Sequence, residues 1–151
     1  MHRKALGIGD DRGLDVRILI VEDNTIFRET VRDLLRGLGY EVRGARSYRK
    51  AVKRLTRHKF DLVLSDMEIG DGSGFDVLQL ARRTHPEACV VLMSGDADPE
   101  TVQAALESGA ARFLPKPLTV GALLDAVKLA QNQTTADQSN TDQPSGTVNP
   151  L

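Results

Sequence analysis

The sequence predicts an α/β protein, one domain built on a doubly wound sheet of five parallel strands. Two observations carry that prediction. Short runs rich in Val, Ile and Leu, such as Arg17-Ile18-Leu19-Ile20-Val21 and Val90-Val91-Leu92-Met93, have the length and composition of strands buried on both faces. Between them lie stretches with apolar residues at helical spacing, so β and α units alternate five times. A third observation concerns chemistry. Glu22-Asp23, Asp66, Ser94-Gly95 and Lys116-Pro117 each follow directly on a strand-like run.

The elements follow in order. The first strand, 17–21, leads to a helix beginning near Asn24, whose short side chain can accept from the backbone N–H groups left free at a helix start. Phe27, Val31, Leu34, Leu35 and Leu38 share one face of it before Gly39 ends it. The second strand, 40–45, gives way to a helix capped by Ser47, with Ala51, Val52 and Leu55 inward. The third strand, 60–65, is followed by a Gly-rich loop and a helix holding Phe75, Leu78 and Ala81. After the fourth strand, 89–93, Asp98-Pro99 caps and starts a helix that Gly109 stops, with Val102, Ala105 and Leu106 toward the core. The fifth strand, 112–115, leads through Thr119 to a last helix carrying Leu123, Leu124 and Val127. Residues 1–15 are expected to be a flexible leader and 16–130 the domain. Residues 131–151 are polar with almost nothing apolar, and are expected to be a disordered tail or a linker.

Right-handed crossovers leave few topologies for five such units. The flavodoxin-like order 2-1-3-4-5 sets the first and third strands side by side at a switch point, and ligands bind beyond the carboxyl ends of strands there. Asp23 and Asp66 end those two strands and become neighbours for a topological reason. Three carboxylates, a hydroxyl and a lysine then face one rim. Carboxylates so gathered repel one another unless a cation intervenes, and Mg²⁺, a hard ion that prefers oxygen ligands, fits.

Acidic pair, lone Asp, small hydroxyl residue and Lys-Pro stand in that order, with the local run 66–75 reading DMEIGDGSGF. Together they resemble the receiver domain of bacterial two-component response regulators, from about Arg17 to Leu129. The resemblance implies that Asp66 is the phosphoacceptor, assisted by Lys116 and Ser94. It implies Mg²⁺ held by Asp23, Asp66 and the backbone carbonyl of Glu68, with Glu22 acting through water. Ser94 and Phe113 would form a switch that alters the surface of the fourth helix, fifth strand and fifth helix. The implied phosphodonor is a histidine kinase or histidine phosphotransfer protein, and the implied listener a downstream protein partner or a second copy in a homodimer. A cis Lys116–Pro117 bond is implied as well, and no turnover of an external substrate.

Three departures from the commonest family pattern stand out. Gly70 sits where Pro is frequent, so the loop after Asp66 is expected to be looser. Phe113 replaces a frequent Tyr at the switch, and Ala110-Ala111-Arg112 lacks acids associated with one family dimer mode. Two rival functions compete. A haloacid-dehalogenase-type hydrolase would need an acid two places after Asp23, where Thr25 stands. A scaffold that takes no phosphate would not need the complete residue set.

Composition bounds the rest. With 20 Lys and Arg against 21 Asp and Glu, the balance gives no sign of bulk nucleic-acid binding, and no nucleic-acid or membrane contact is expected. The charge is segregated, with eight basic residues and no acid between Arg43 and Lys59. That stretch reads as a solvated helix face or a docking patch for an acidic partner. Asp71, Asp96 and Asp98 read as loop acids or caps. Cys89 is the one cysteine, so an intrachain disulfide is impossible. No apolar run approaches a signal-peptide core or a membrane span, and a cytoplasmic protein is expected.

Overall fold

A computed structural model describes residues 15–142 of the 151. Strands β1 (Arg17–Val21), β2 (Glu41–Ala45), β3 (Leu62–Asp66), β4 (Cys89–Ser94) and β5 (Arg112–Pro115) form one parallel sheet in the order β2-β1-β3-β4-β5. Helices α1 (Thr25–Gly37), α2 (Tyr48–Arg57), α3 (Gly74–Thr84), α4 (Pro99–Glu107) and α5 (Val120–Asp142) follow the strands one by one. The fold class and strand order are those predicted.

Alternation along the strands divides the core into two layers. Leu19, Val21, Val63, Val90 and Leu92 face one side, under Ala51 and Leu55 of α2, Val77, Leu78 and Ala81 of α3 and Ala105 of α4. Ile18, Ile20, Leu62, Leu64, Val91 and Met93 face the other, under Val31 and Leu35 of α1 and Leu123, Ala126, Val127 and Ala130 of α5. Both faces of the central strands are covered, which is why their sequences read as continuous apolar runs rather than alternating ones.

The predicted caps recur. Asn24, Ser47 and Asp98 each accept a backbone N–H of the third residue into their helix, and Ser73 with Asp76 forms a full capping box on α3. Three leucines expected inward are exposed: Leu34, Leu38 and Leu106. Leu34 and Leu106 each sit next to the buried residue of their turn, Leu35 and Ala105, about 100° around the helix from it. Gly39, at φ 101, turns the chain away immediately after Leu38. α5 runs past the expected domain boundary near 130, because residues 131–142 contain neither Gly nor Pro to stop it. Residues 1–14 of the expected leader and residues 143–151 of the expected tail lie outside the described residues. Cys89 is a buried thiol. Among the described residues, no helix is long and apolar enough to cross a membrane.

Candidate functional site

The site forms where β1 and β3 release their chains side by side. Their register pairs Val21 with Ser65, so Glu22 and Asp66 emerge together at the carboxyl rim. Glu22 turns back into the protein and is 1% exposed. Its Oε2 accepts the Asn24 N–H at 3.0 Å, and its carbonyl accepts Arg28 Nη1 at 2.8 Å. Asp23 and Glu68 are exposed beside it. On the far side of the sheet, Ser94 pairs in register with Pro115, and Lys116 N–H donates to the Ser94 carbonyl at 2.9 Å. The Lys116–Pro117 peptide is cis, as expected.

Lys116 brings the two carboxylates together. Its ammonium donates to Glu22 Oε1 at 2.6 Å and to Asp66 Oδ2 at 2.9 Å, and lies 4.3 Å from the centre of the Phe27 ring. Burial raises the pKa of the Glu22 carboxyl, and the negative charge of Asp66 adds to that push, against the hydrogen bonds from Lys116 and Asn24. Burial pulls the Lys116 ammonium downward, but the hydrogen bonds to Glu22 and then Asp66 outweigh it, and its pKa lies above the ordinary lysine value. One ammonium therefore faces several carboxylates in a partly dry setting.

Glu22, Asp23 and Asp66 each present a carboxylate oxygen, all within 4.8 Å of one another. Three acids against one lysine leave an excess of negative charge, and a divalent cation is the natural complement to it. Among the described residues the Glu68 carbonyl takes no hydrogen bond, while the Glu68 N–H donates to Asp66 Oδ1 at 3.3 Å. The donor set is thus all oxygen and suits a hard metal ion. Ser94 Oγ accepts the Asp96 N–H at 3.0 Å, which leaves the hydroxyl proton available to an acceptor. A Cβ at Gly95 would meet nothing within 4 Å, so the space beside Ser94 is open. Phe113 is half-buried against the α2–α3–α4 side of the core.

The loop after Asp66 is tied down rather than loose. Gly70 adopts φ 76, a conformation that suits glycine, and Asp71 N–H closes the turn on the Ile69 carbonyl at 2.7 Å. Asp71 then accepts the Tyr48 N–H at 2.7 Å and the Arg49 N–H at 3.0 Å, capping α2 from a distant loop. Those two bonds hold its carboxyl below the usual range. Gly74 lies so near the phosphoacceptor candidate that a Cβ there would stand 2.9 Å from the Asp66 carbonyl.

Known proteins share this fold. Residues 18–128 match the model of the response regulator receiver domain family. The chain belongs to that family. Receiver domains are the phosphoacceptor switches of two-component signalling. PilR, a response regulator of Pseudomonas aeruginosa, is 36% identical over 114 residues, covering 76% of this chain and 26% of PilR. The chain spans about a quarter of the length of the first curated relatives it matches. A response regulator of Burkholderia pseudomallei, solved with a phosphorylated aspartic acid, calcium ion and citrate, superposes with a TM-score of 0.72 at 27% identity, covering 85% of this chain and 76% of that one. A CheY-like receiver domain of Methanospirillum hungatei gives 0.77 at 27% identity, covering 82% and 98%.

The structure thus brings Glu22, Asp23, Asp66 and Lys116 into one cluster, with Ser94 linked to it through the backbone of Lys116. Phe27, Arg28 and Asp71 escaped the sequence reading as site residues. The sequence places Phe27 only on the apolar face of α1, and nothing in it singles out Arg28. Asp71 was read as a loop acid or cap, but the helix that it caps lies over twenty residues away in sequence, beyond the reach of local pattern.

Proposed function

We propose that Asp66 accepts a phosphoryl group from a histidine kinase or histidine phosphotransfer protein. A carboxylate oxygen of Asp66 attacks phosphorus, a P–O bond forms and the P–N bond to the donor histidine breaks, with the electron pair returning to the imidazole. Lys116, now hydrogen-bonded to the bare carboxylate, is positioned to follow the charge onto the phosphoryl oxygens, and the Ser94 hydroxyl to donate to one of them. Gly95 leaves room for the incoming group. Mg²⁺, held by Asp23, Asp66 and the Glu68 carbonyl with Glu22 through water, would neutralise phosphoryl charge when bound. No external substrate is turned over; the product is the modified protein itself.

The response follows from a difference in contacts. A phosphoryl group offers Ser94 an acceptor and favours the β4–α4 loop drawn toward the site, which gives Phe113 room to turn inward. Phe113 has no hydroxyl to strand on burial, so its inward state costs little. The altered surface is α4, β5 and α5 around Glu100, Gln103, Arg112 and Lys128. Leu106 and Val120, both exposed, are the apolar residues a protein partner or second copy would cover there. A phosphodonor of this kind puts the protein in the cytoplasm.

The observation that carries the reading is the Lys116 ammonium bridging Glu22 and Asp66 beside the acidic trio. Incubation with Mg²⁺ and acetyl phosphate should add one phosphoryl group by intact mass, and Asp66→Asn should add none, since an amide is a poor nucleophile. Equal labelling of the variant would refute it.

A further inference from the structure

We infer that the cleft between α1, the edge strand β2 and α2 binds a linear chain of three or more phosphoryl groups, free or carried by a nucleoside. Among the described residues, six arginines and one lysine line this cleft of about 330 Å³, with Gly44 as the one uncharged lining residue. It lies on the opposite side of β1 from β3 and its phosphoacceptor candidate, at the β2 edge of the sheet. The chain as a whole has slightly more acids than bases, so the cleft reflects segregation, not a basic protein.

An ordinary solvated basic face is interleaved with acids. Here the lining cations form a single ion pair among the described residues, Arg32 with its sequence neighbour Asp33 at 3.1 Å. The side chains of Arg43, Arg46 and Lys50 have no acidic partner among them. Like charges converging this way repel, and their field reaches His58. Burial first, then Arg43, Arg54 and Arg57, hold that imidazole below its usual pKa.

Three of the arginines are already anchored. Arg36 donates Nε and Nη2 to the Val42 carbonyl at 3.2 and 2.8 Å, Arg54 donates Nε to the Gly44 carbonyl at 3.0 Å, and Arg28 reaches the Glu22 carbonyl. The aliphatic stem of Arg28 crosses Gly44, where a Cβ would approach its Cδ to 3.2 Å. Anchoring removes side-chain freedom before any ligand arrives and leaves the remaining guanidinium N–H groups for another acceptor.

The ligand class follows from what the cleft offers and withholds. Guanidinium forks match phosphate oxygens in bidentate pairs. The β2 carbonyls that an added peptide strand would need are taken by Arg36 and Arg54, which disfavours an acidic peptide in extended form. Among the described residues no aromatic or apolar side chain lines the cleft, which gives it neither a stacking platform for single-stranded bases nor a pocket for a hydrophobic anchor. The volume is at the small end for ligand sites, which suits a compact, densely charged chain.

Calorimetric titration of the 151-residue protein without Mg²⁺ tests this with tripolyphosphate, ATP, orthophosphate, a short DNA duplex and a Glu-rich peptide. Tripolyphosphate or ATP should bind one to one, at least roughly tenfold tighter than orthophosphate. The double charge reversal Arg46→Glu with Lys50→Glu should weaken that binding by roughly tenfold or more while the fold, checked by circular dichroism, persists. Arg83→Glu on α3 should change it less than about twofold. Equal affinity for the two ligands assigns recognition to the phosphate chain, and tighter ATP binding assigns it to a nucleotide. The inference fails if tripolyphosphate and ATP bind no tighter than orthophosphate, or if binding survives the reversal. It fails equally if the duplex or peptide binds more tightly than either and is lost with the same two changes.

Discussion

Lys116→Met keeps a stem of similar length over the Phe27 ring and removes the ammonium. The Glu22 carboxylate, on a residue 1% exposed, would then keep a single hydrogen bond among the described residues, from the Asn24 N–H, and Asp66 would keep the Glu68 N–H. Breaking one partner out of a buried ion pair costs about 3–5 kcal/mol. Lys116 is 20% exposed and Asp66 13%, and each acid retains a donor, so about 2–3 kcal/mol is the expected loss. For a chain of this size, roughly 3 °C accompanies each kcal/mol, giving a fall in Tm of roughly 6–9 °C. The loss should depend on pH in a defined direction. A carboxyl whose folded pKa is raised favours the protonated folded state, so its contribution declines as pH climbs from near 4.5 through the folded value. Removing Lys116 raises that folded value further. The deficit should therefore be small near the ordinary carboxyl pKa of 4.5, fully developed at neutral pH, and decline again only above 10.5, where Lys116 itself loses its proton. Thermal denaturation in EDTA of wild type and variant across that range measures it. A deficit below about 1 °C at neutral pH, or one of equal size throughout, would refute the claim that Lys116 compensates a buried carboxylate.

Other expectations follow from the same geometry. Asp23→Ala should weaken Mg²⁺ binding and slow labelling by acetyl phosphate, while the metal-free Tm holds or rises because one repelling carboxylate has gone; a labelling rate indifferent to Mg²⁺ in wild type would contradict the metal role. Asp71→Ala should speed hydrogen exchange at the Tyr48 and Arg49 amides, and the stability that Asp71 contributes in wild type, present above pH 3.8, should fade as pH falls through its lower folded value. Gly74→Ala should depress both Tm and labelling, since the added methyl meets the Asp66 carbonyl and Met67 backbone, whereas Gly95→Ala should leave Tm unchanged. Ser94→Ala should still accept phosphate yet fail to shift the backbone NMR signals of α4 and β5 when a phosphoryl mimic is added.

Much of the fold was legible because both of its signals are local. Strands buried on two faces are continuous apolar runs, and Asn24, Ser47 and Asp98 announce helix starts within three residues of the bond that they make. Crossover handedness left few strand orders, and the flavodoxin-like one among them made neighbours of Asp23 and Asp66. What escaped was decided by tertiary context. Whether Leu34, Leu38 and Leu106 are covered depends on the width of the stripe that each helix buries, and periodicity alone does not give that width. The Phe27 ring under Lys116, the Arg28 bond to Glu22 and the Asp71 cap on α2 join residues that no sequence spacing relates. The basic stretch after Arg43 was visible as charge, but its meeting with three arginines of α1 in one cleft was not.

The proposed switch requires that Asp66 carry the phosphoryl group. Borohydride reduces an acyl phosphate to an alcohol, so an aspartyl phosphate becomes homoserine and keeps its address in the chain. Labelling with acetyl phosphate and Mg²⁺, reduction, and peptide mass spectrometry should find homoserine at position 66 and at no other aspartate. Homoserine at Asp23 or Asp71 with position 66 unchanged, or none anywhere in a folded, Mg²⁺-loaded protein, would contradict it.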